Sequence, residues 1–260
     1  MILAICFSLM DPSADRRHAR HLSLPQIGEA GQAKLVGAHV LVVGLGGLGS
    51  PVALYLAAAG VGHLTFADFD TVELSNLQRQ IAHSTPRAGM AKTESAREAC
   101  HAIDPAIRIE TLEHGLDADD LAELVPRCSV VVDCSDNFPT RFAINAACVA
   151  AGVPLVSGAA IRFDGQVTVI DPRVAGAPCY RCLYAANADD DGVDGCAEAG
   201  ILGPVVGMIG CVQATETIKL LCGIGESLAG RLVLFDALGM EWNEIRLARR
   251  PDCPVCAGRH

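Results

Sequence analysis

Short, wholly apolar runs alternate along this chain with longer stretches rich in Ala, Leu and other small residues. Val40 to Val43 has the pattern of a fully buried strand. Val52 to Ala59 follows as a packed helix, with Pro51 tolerated in its first turn and Gly60 as its stop signal. Leu64 to Ala67 is a second buried strand that delivers Asp68 and Asp70 at its carboxyl end. Between the first strand and the helix lies Gly44-Leu45-Gly46-Gly47-Leu48-Gly49. Strand, glycine turn, helix, strand and acid together predict a βαβ nucleotide-binding unit, in which the backbone approaches a phosphate near the helix N-terminus.

The same patterning predicts the rest of the fold. A helical N-terminal arm over residues 1–37, with helical spacing from Ile27 to Leu35, lies on the sheet. Thr71 to Arg87 is polar and aperiodic, a loop or short helix, and Gly89 to Ile103 is helical with Lys92 near its start. A lysine there stands against the helix dipole, which points to an anion beside it. Ile107 and Ile109 mark a strand, and Asp117, Asp119 and Asp120 open a short helix to Val125. Ser129 to Val132 is a buried strand ending in Asp133-Cys134-Ser135-Asp136-Asn137, with Asn137 an N-cap for a helix over Thr140 to Ala150. Pro154 to Ser157 completes the parallel part and Gln166 to Ile170 adds a strand. Residues 171–203 lose apolar periodicity and form a long mobile crossover loop. Gly203 to Cys222 is a small-residue helix, and Arg231 to Asp236 and Trp242 to Leu247 pair antiparallel. The fold class expected is α/β: a Rossmann-like, mostly parallel sheet with helices on both faces, antiparallel C-terminal strands and a tail clasped through Cys179-x-x-Cys182 and Cys253-x-x-Cys256, four sulfurs that suit zinc. Residues 38–170 would form the nucleotide-binding core and 204–260 the C-terminal part of one compact domain.

Composition narrows the function. With 51% hydrophobic and 19% charged residues over 260 positions, the chain buries a full core. A formal net charge of −10 argues against sequence-independent nucleic-acid binding, which needs clustered Lys and Arg. No uninterrupted apolar run is long enough to cross a bilayer. Met1 to Met10 is apolar but short and lacks a basic region and a cleavage site, so no signal peptide is expected, and Met10 is an alternative start. Of twelve cysteines, Cys100, Cys128, Cys148, Cys211 and Cys222 sit in apolar segments as small core residues, which fits a reducing cytoplasm.

Four of the other cysteines form Cys179-x-x-Cys182 and Cys253-x-x-Cys256. Two such pairs can present four thiolates tetrahedrally to a structural zinc, here as a clasp between tail and loop; a redox dithiol is the rival. In the nucleotide-binding region, Asp68 and Asp136 stand on the same rim as the glycine turn, because ligands in open parallel sheets bind beyond the strand carboxyl ends. They suggest a ribose-binding acid and a metal-binding acid. The glycine spacing alone also fits an NAD-dependent oxidoreductase.

Gly44 to Gly49, Asp68 with Asp70, Ser75-Asn76-Leu77-Gln78-Arg79, Lys92, Asp133 to Asn137, Ser157-Gly158-Ala159-Ala160 and the two cysteine pairs, taken together, resemble the ThiF/MoeB family of sulfur-carrier adenylyltransferases, relatives of ubiquitin-activating enzymes. The resemblance runs from about Arg17 to Cys256. It implies a homodimeric enzyme that uses ATP and Mg²⁺ to adenylate the C-terminal glycine of a ubiquitin-like sulfur carrier ending in Gly-Gly, of the molybdopterin-synthase type, with a thiamine-pathway or other carrier as the alternative. It assigns Gly47 and Asp68 to the nucleotide, the acid at the ribose, and Asn76, Arg79 and Lys92 to the phosphates. Asp136 takes Mg²⁺, with Asn137 beside it, and Gly44, Gly46, Gly49, Asp70, Ser75, Leu77 and Gln78 complete the site. Arg20 matches an arginine that reaches a partner subunit's phosphates, and Cys196 a cysteine that some relatives join to the carrier as thioester or persulfide. With no rhodanese-like domain expected after Cys256, sulfur transfer falls to a separate sulfurtransferase or to Cys196. A scaffold that keeps the fold without catalysis is the third reading, disfavoured by the full set of charged residues. ATP with Mg²⁺, and not NAD, should raise the melting temperature.

Overall fold

A computed structural model of the chain describes residues 17–184 and 200–258; Met1 to Met10, the acidic run Asp189-Asp190-Asp191 and Cys196 lie outside them. The strands are β1 (His39–Val43), β2 (His63–Ala67), β3 (Arg108–Leu112), β4 (Val130–Asp133), β5 (Leu155–Ile161), β6 (Asp164–Ile170), β7 (Arg231–Asp236) and β8 (Glu241–Arg246). Among the described residues they form one eight-stranded sheet in the order β3-β2-β1-β4-β5-β6-β7-β8. The first five run parallel and the last three antiparallel. The chain winds outward from β1 in both directions, so β1 and β4 flank the switch point at which an open α/β sheet leaves a crevice. Val43 at the end of β1 registers with Ala67 of β2 and Asp133 of β4, which brings the three loops that follow onto one rim.

The helices are α1 (Ala19–Leu22), α2 (Gly28–Val36), α3 (Gly49–Ala58), α4 (Lys92–Ile103), α5 (Ala118–Leu124), α6 (Phe138–Ala151), α7 (Tyr180–Leu183) and α8 (Gly203–Cys222). Side chains of β1 alternate between the two faces of the sheet, as a strand requires. Val40 and Val42 join Leu35, Leu56, Cys100 and Ile209 in one core, under α2, α3, α4 and α8. Leu41 and Val43 join Leu121, Phe142, Cys148 and Tyr180 in the other, under α5, α6 and the C-terminal tail. Both faces are covered over the centre of the sheet, which is why β1 and β4 read as unbroken apolar runs, while the edge strand β3 alternates apolar with polar residues.

Three expectations change in detail. The N-terminal arm rests on α8 and the α3–β2 junction rather than across the sheet: a Cβ on Gly31 would lie 3.6 Å from Cys222 Sγ, and Gln32 Nε2 donates to the Ala59 carbonyl at 2.9 Å. The strand expected to stop at Ser157 continues to Ile161, because β6 doubles back and pairs with it as far as Ile161↔Asp164. Within the stretch read as loop, Tyr180–Leu183 is a short helix, and Ile201 bridges Arg162 at the β5–β6 turn. Among the described residues α8 alone is long and apolar enough to cross a membrane, and half of its most apolar window is buried.

Candidate active site

The glycine turn is fitted to its neighbours by close approach. Gly44 has φ +89°, and a Cβ there would fall 2.7 Å from the Cys134 carbonyl oxygen. A Cβ on Gly49 would fall 1.9 Å from the carbonyl oxygen of Gly44, so the turn can be this tight only without side chains. The Leu45 N–H donates to Asp68 Oδ2 at 2.6 Å, and Asp68 Oδ1 accepts the N–H of Asp70 at 2.9 Å. Asp68 therefore ties the turn to the end of β2. Burial pushes its carboxyl up, opposed by those N–H donors and by the Lys92 charge.

Beyond the rim opens a cavity of about 320 Å³, within the range of small-molecule sites. Gly44, Gly46, Gly47, Asp68, Asp70, Asn76, Arg79, Lys92, Asp136 and Asn137 all line it. Asn76 ends a short 3₁₀ turn (Leu74–Asn76) and accepts Arg79 Nη2 on its Oδ1 at 2.9 Å, which aims the guanidinium. Lys92, the first residue of α4, is 5% exposed and its Nζ lies 2.6 Å from Asp70 Oδ2. The anion its position called for is thus Asp70. Asn137 accepts the Thr140 N–H at 3.0 Å as the N-cap of α6, and its Nδ2 donates to Asp136 Oδ1 at 3.3 Å.

Of the three acids at the rim, Asp68 is satisfied by backbone N–H groups and Asp70 by Lys92, which leaves Asp136 as the carboxylate with capacity for a cation. Its hard oxygen donors are the kind Mg²⁺ takes.

Some expected residues lie elsewhere. Ser75 is exposed and donates to Glu73, while Gln78 packs against the start of α8, its carbonyl oxygen 2.5 Å from where a Gly203 Cβ would sit. With Leu77 and Gly49, they shape the loops without lining the cavity. Arg20 is exposed on α1, outside the cavity of its own chain.

Two buried polar lining residues had no sequence signal of their own. Gln80 is 4% exposed, with no partner for its Oε1. Arg141 is buried and donates to the Ser135 carbonyl at 2.6 Å and to the Tyr180 hydroxyl at 3.2 Å, bracing the loop that carries Asp136. Burial works against its charge, but Asp133 together with Tyr180 and Tyr184 more than offsets that. Asp133 is itself fully buried, accepting the Ser135 and Ser157 hydroxyls at 2.6 and 2.8 Å.

The four sulfurs of Cys179, Cys182, Cys253 and Cys256 lie within 4.8 Å of one another, with Cys179–Cys253 at 3.6 Å and Cys182–Cys256 at 3.5 Å. Four thiolates held ~2.3 Å from one ion would be spaced by roughly 3.8 Å, so this donor set fits a closed zinc site. The spacings lie well beyond a disulfide bond, ~2.05 Å.

The ThiF family model matches residues 18–255, from the start of the described arm to the last cysteine pair. The chain belongs to the ThiF family. It is 49% identical over 245 residues to the adenylyltransferase and sulfurtransferase MOCS3 of Bos taurus, covering 94% of this chain and 53% of that protein. It is 44% identical over 247 residues to the SAMP-activating enzyme E1 of Haloferax volcanii, covering 95% of this chain and 90% of that one. The chain thus spans about half the length of the MOCS3 relatives it matches. Among solved structures, E. coli MccB with MccA-N7isoASN superposes with a TM-score of 0.81 at 22% identity, covering 95% of this chain and 76% of that chain, which establishes a shared fold. Membership of this adenylyltransferase family implies use of ATP, and the cysteine cluster suggests zinc.

Proposed function

We propose that the protein adenylates the C-terminal carboxylate of a ubiquitin-like sulfur carrier, releasing pyrophosphate and preparing that carboxylate for thiocarboxylate formation. The observation that carries this reading is the gathering of Arg79, Lys92 and Asp136 around one cavity at the switch point of the sheet. The names of the two relatives, an adenylyltransferase and an activating enzyme, support it.

A C-terminal carboxylate, with a reference pKa of ~3.5, is ionised at neutral pH and needs no general base. One of its oxygens attacks the α-phosphorus of ATP, and the bond from that phosphorus to the bridging oxygen of the β-phosphate breaks. Pyrophosphate departs with the electron pair. The barrier lies in bringing one anion to another and in the charge that builds on the leaving group. Cations already in place lower it most, because they need no reorganisation as the reaction proceeds. Lys92, held by Asp70, exchanges that partner for phosphate oxygens, and Arg79 keeps its aim through Asn76. Asp136 would hold Mg²⁺, which supplies charge neutralisation on the phosphates. Asp68 and the glycine turn take the ribose side. Arg20, free of its own cavity, serves the neighbouring site of a homodimer. The acceptor's own sulfur chemistry falls to a partner sulfurtransferase or to Cys196, and the enzyme works in the cytoplasm. An oxidoreductase would have no use for this arginine, lysine and acid together.

Asp136→Ala should lower carrier-dependent ATP–pyrophosphate exchange by about 10²–10³ while the circular dichroism spectrum stays unchanged. Full activity in that variant would overturn the assignment.

A further inference from the structure

His83 is 7% exposed, lies behind the cavity rather than in its lining, and touches the site from two sides. Its Nε2 is 2.9 Å from the Leu45 carbonyl oxygen and its Nδ1 is 2.8 Å from Ser95 Oγ. A carbonyl can only accept, so Nε2 carries the proton; Nδ1 of the neutral ring then accepts the Ser95 hydroxyl. Ser95 stands one turn into α4, the helix that begins at Lys92. Arg87 also donates to the Ser95 carbonyl, fixing that turn. The Leu45 residue is therefore held at its N–H by Asp68 and at its C=O by His83.

The peptide joining Leu45 to Gly46 is trans, so its C=O and N–H point in opposite directions. Anchoring the carbonyl on His83 turns the Gly46 N–H away from that side. Gly46 lines the cavity, and among the described residues the N–H groups of Gly46 and Gly47 meet no backbone acceptor. Unpaired N–H groups in a glycine turn before a helix are what a phosphate group takes.

We propose that His83 is a positioning residue for the phosphate side of this site: by bridging the Leu45 carbonyl to Ser95 on the Lys92 helix, it orients the Gly46 N–H toward bound phosphate and sets its distance from Lys92. This rests on the ATP reading above.

Calorimetric titration with ATP and, separately, with adenosine tests it, since adenosine shares base and ribose but offers no phosphate. His83→Leu should weaken ATP binding about tenfold, the effect of losing one hydrogen bond to a charged group, and leave adenosine within about twofold. His83→Gln, which can place an amide donor near the position of Nε2, should recover most of the ATP affinity. If His83→Leu fails to fold, Ser95→Ala takes its place, with a smaller loss, about threefold, again confined to ATP. Equal losses for both ligands would reduce His83 to a packing role and overturn the proposal, as would unchanged ATP binding. Wild-type protein that binds ATP no better than adenosine would overturn the ATP reading itself, an outcome visible before any variant is made.

Discussion

His39 and His63 open β1 and β2 at the end of the sheet opposite the cavity, directly paired in register. Their rings stack at 3.7 Å with 9° between planes. His39 donates from Nδ1 to the Arg127 carbonyl at 3.1 Å and accepts the Thr65 hydroxyl on Nε2 at 2.8 Å, a set of partners that suits the neutral ring. Burial lowers the pKa of both; Arg108 and Arg127 lower them further, His39 adds to the effect on His63, and Glu110 opposes it. A lowered histidine pKa means that the unfolded chain binds the proton more readily than the folded one. The stability these rings contribute is present above their ordinary value of 6.5 and is lost as pH falls below it. Urea midpoints should therefore drop between pH 7.5 and 5.5, and His63→Gln should flatten the slope; a flat wild-type profile would contradict this. At this scale the sequence showed residues whose type already implies a charge or a backbone need: Asp68, Lys92, Asp136 and the glycines. Gln80 and Arg141 escaped it, because an amide or an arginine acquires meaning only from what surrounds it, here an unpaired buried oxygen and the Ser135 carbonyl.

Among the elements, α6 is the one on which structure and proposed chemistry overlap most closely. Its N-cap, Asn137, satisfies the Thr140 N–H and touches Asp136. Asn137→Ala should cost about 1 kcal/mol of stability, read by denaturant titration, and should also lower pyrophosphate exchange. Asn137→Ser should restore the stability and not the exchange; recovery of both would leave Asn137 as a cap only. Caps and stops of this kind are local, and so the bounds of α8 and the acid-capped start of α5 were legible: Asp117 accepts the N–H groups of Asp119 and Asp120, each at 2.9 Å. The end of β5 was not. Gly158, Ala159 and Ala160 lie beyond the expected end at Ser157, yet Gly158 is small because α8 lies on it, with Gln213 side-chain atoms 2.5 Å from where a Gly158 Cβ would sit. Nothing near Gly158 in the chain announces Gln213.

At the scale of the whole molecule, the two cysteine pairs join points 74 positions apart and belong to the same core as α6. Each pair was visible in the sequence; their meeting was a matter of topology. Protein purified without chelator should carry about one zinc per chain by elemental analysis, and Cys253→Ser should lose it together with roughly 5 °C or more in melting temperature. Metal-free protein with an unchanged melting temperature would overturn the clasp. The long apolar helix α8 has a further consequence. It rests on α2, α3, β4, β5 and β6, all of which precede it. During synthesis the groove it fills is complete once β6 ends at Ile170 and stands open until the ribosome has delivered Cys222, so the nascent chain carries a greasy trench over that interval. Cells making this protein quickly would lean on chaperones at that stage.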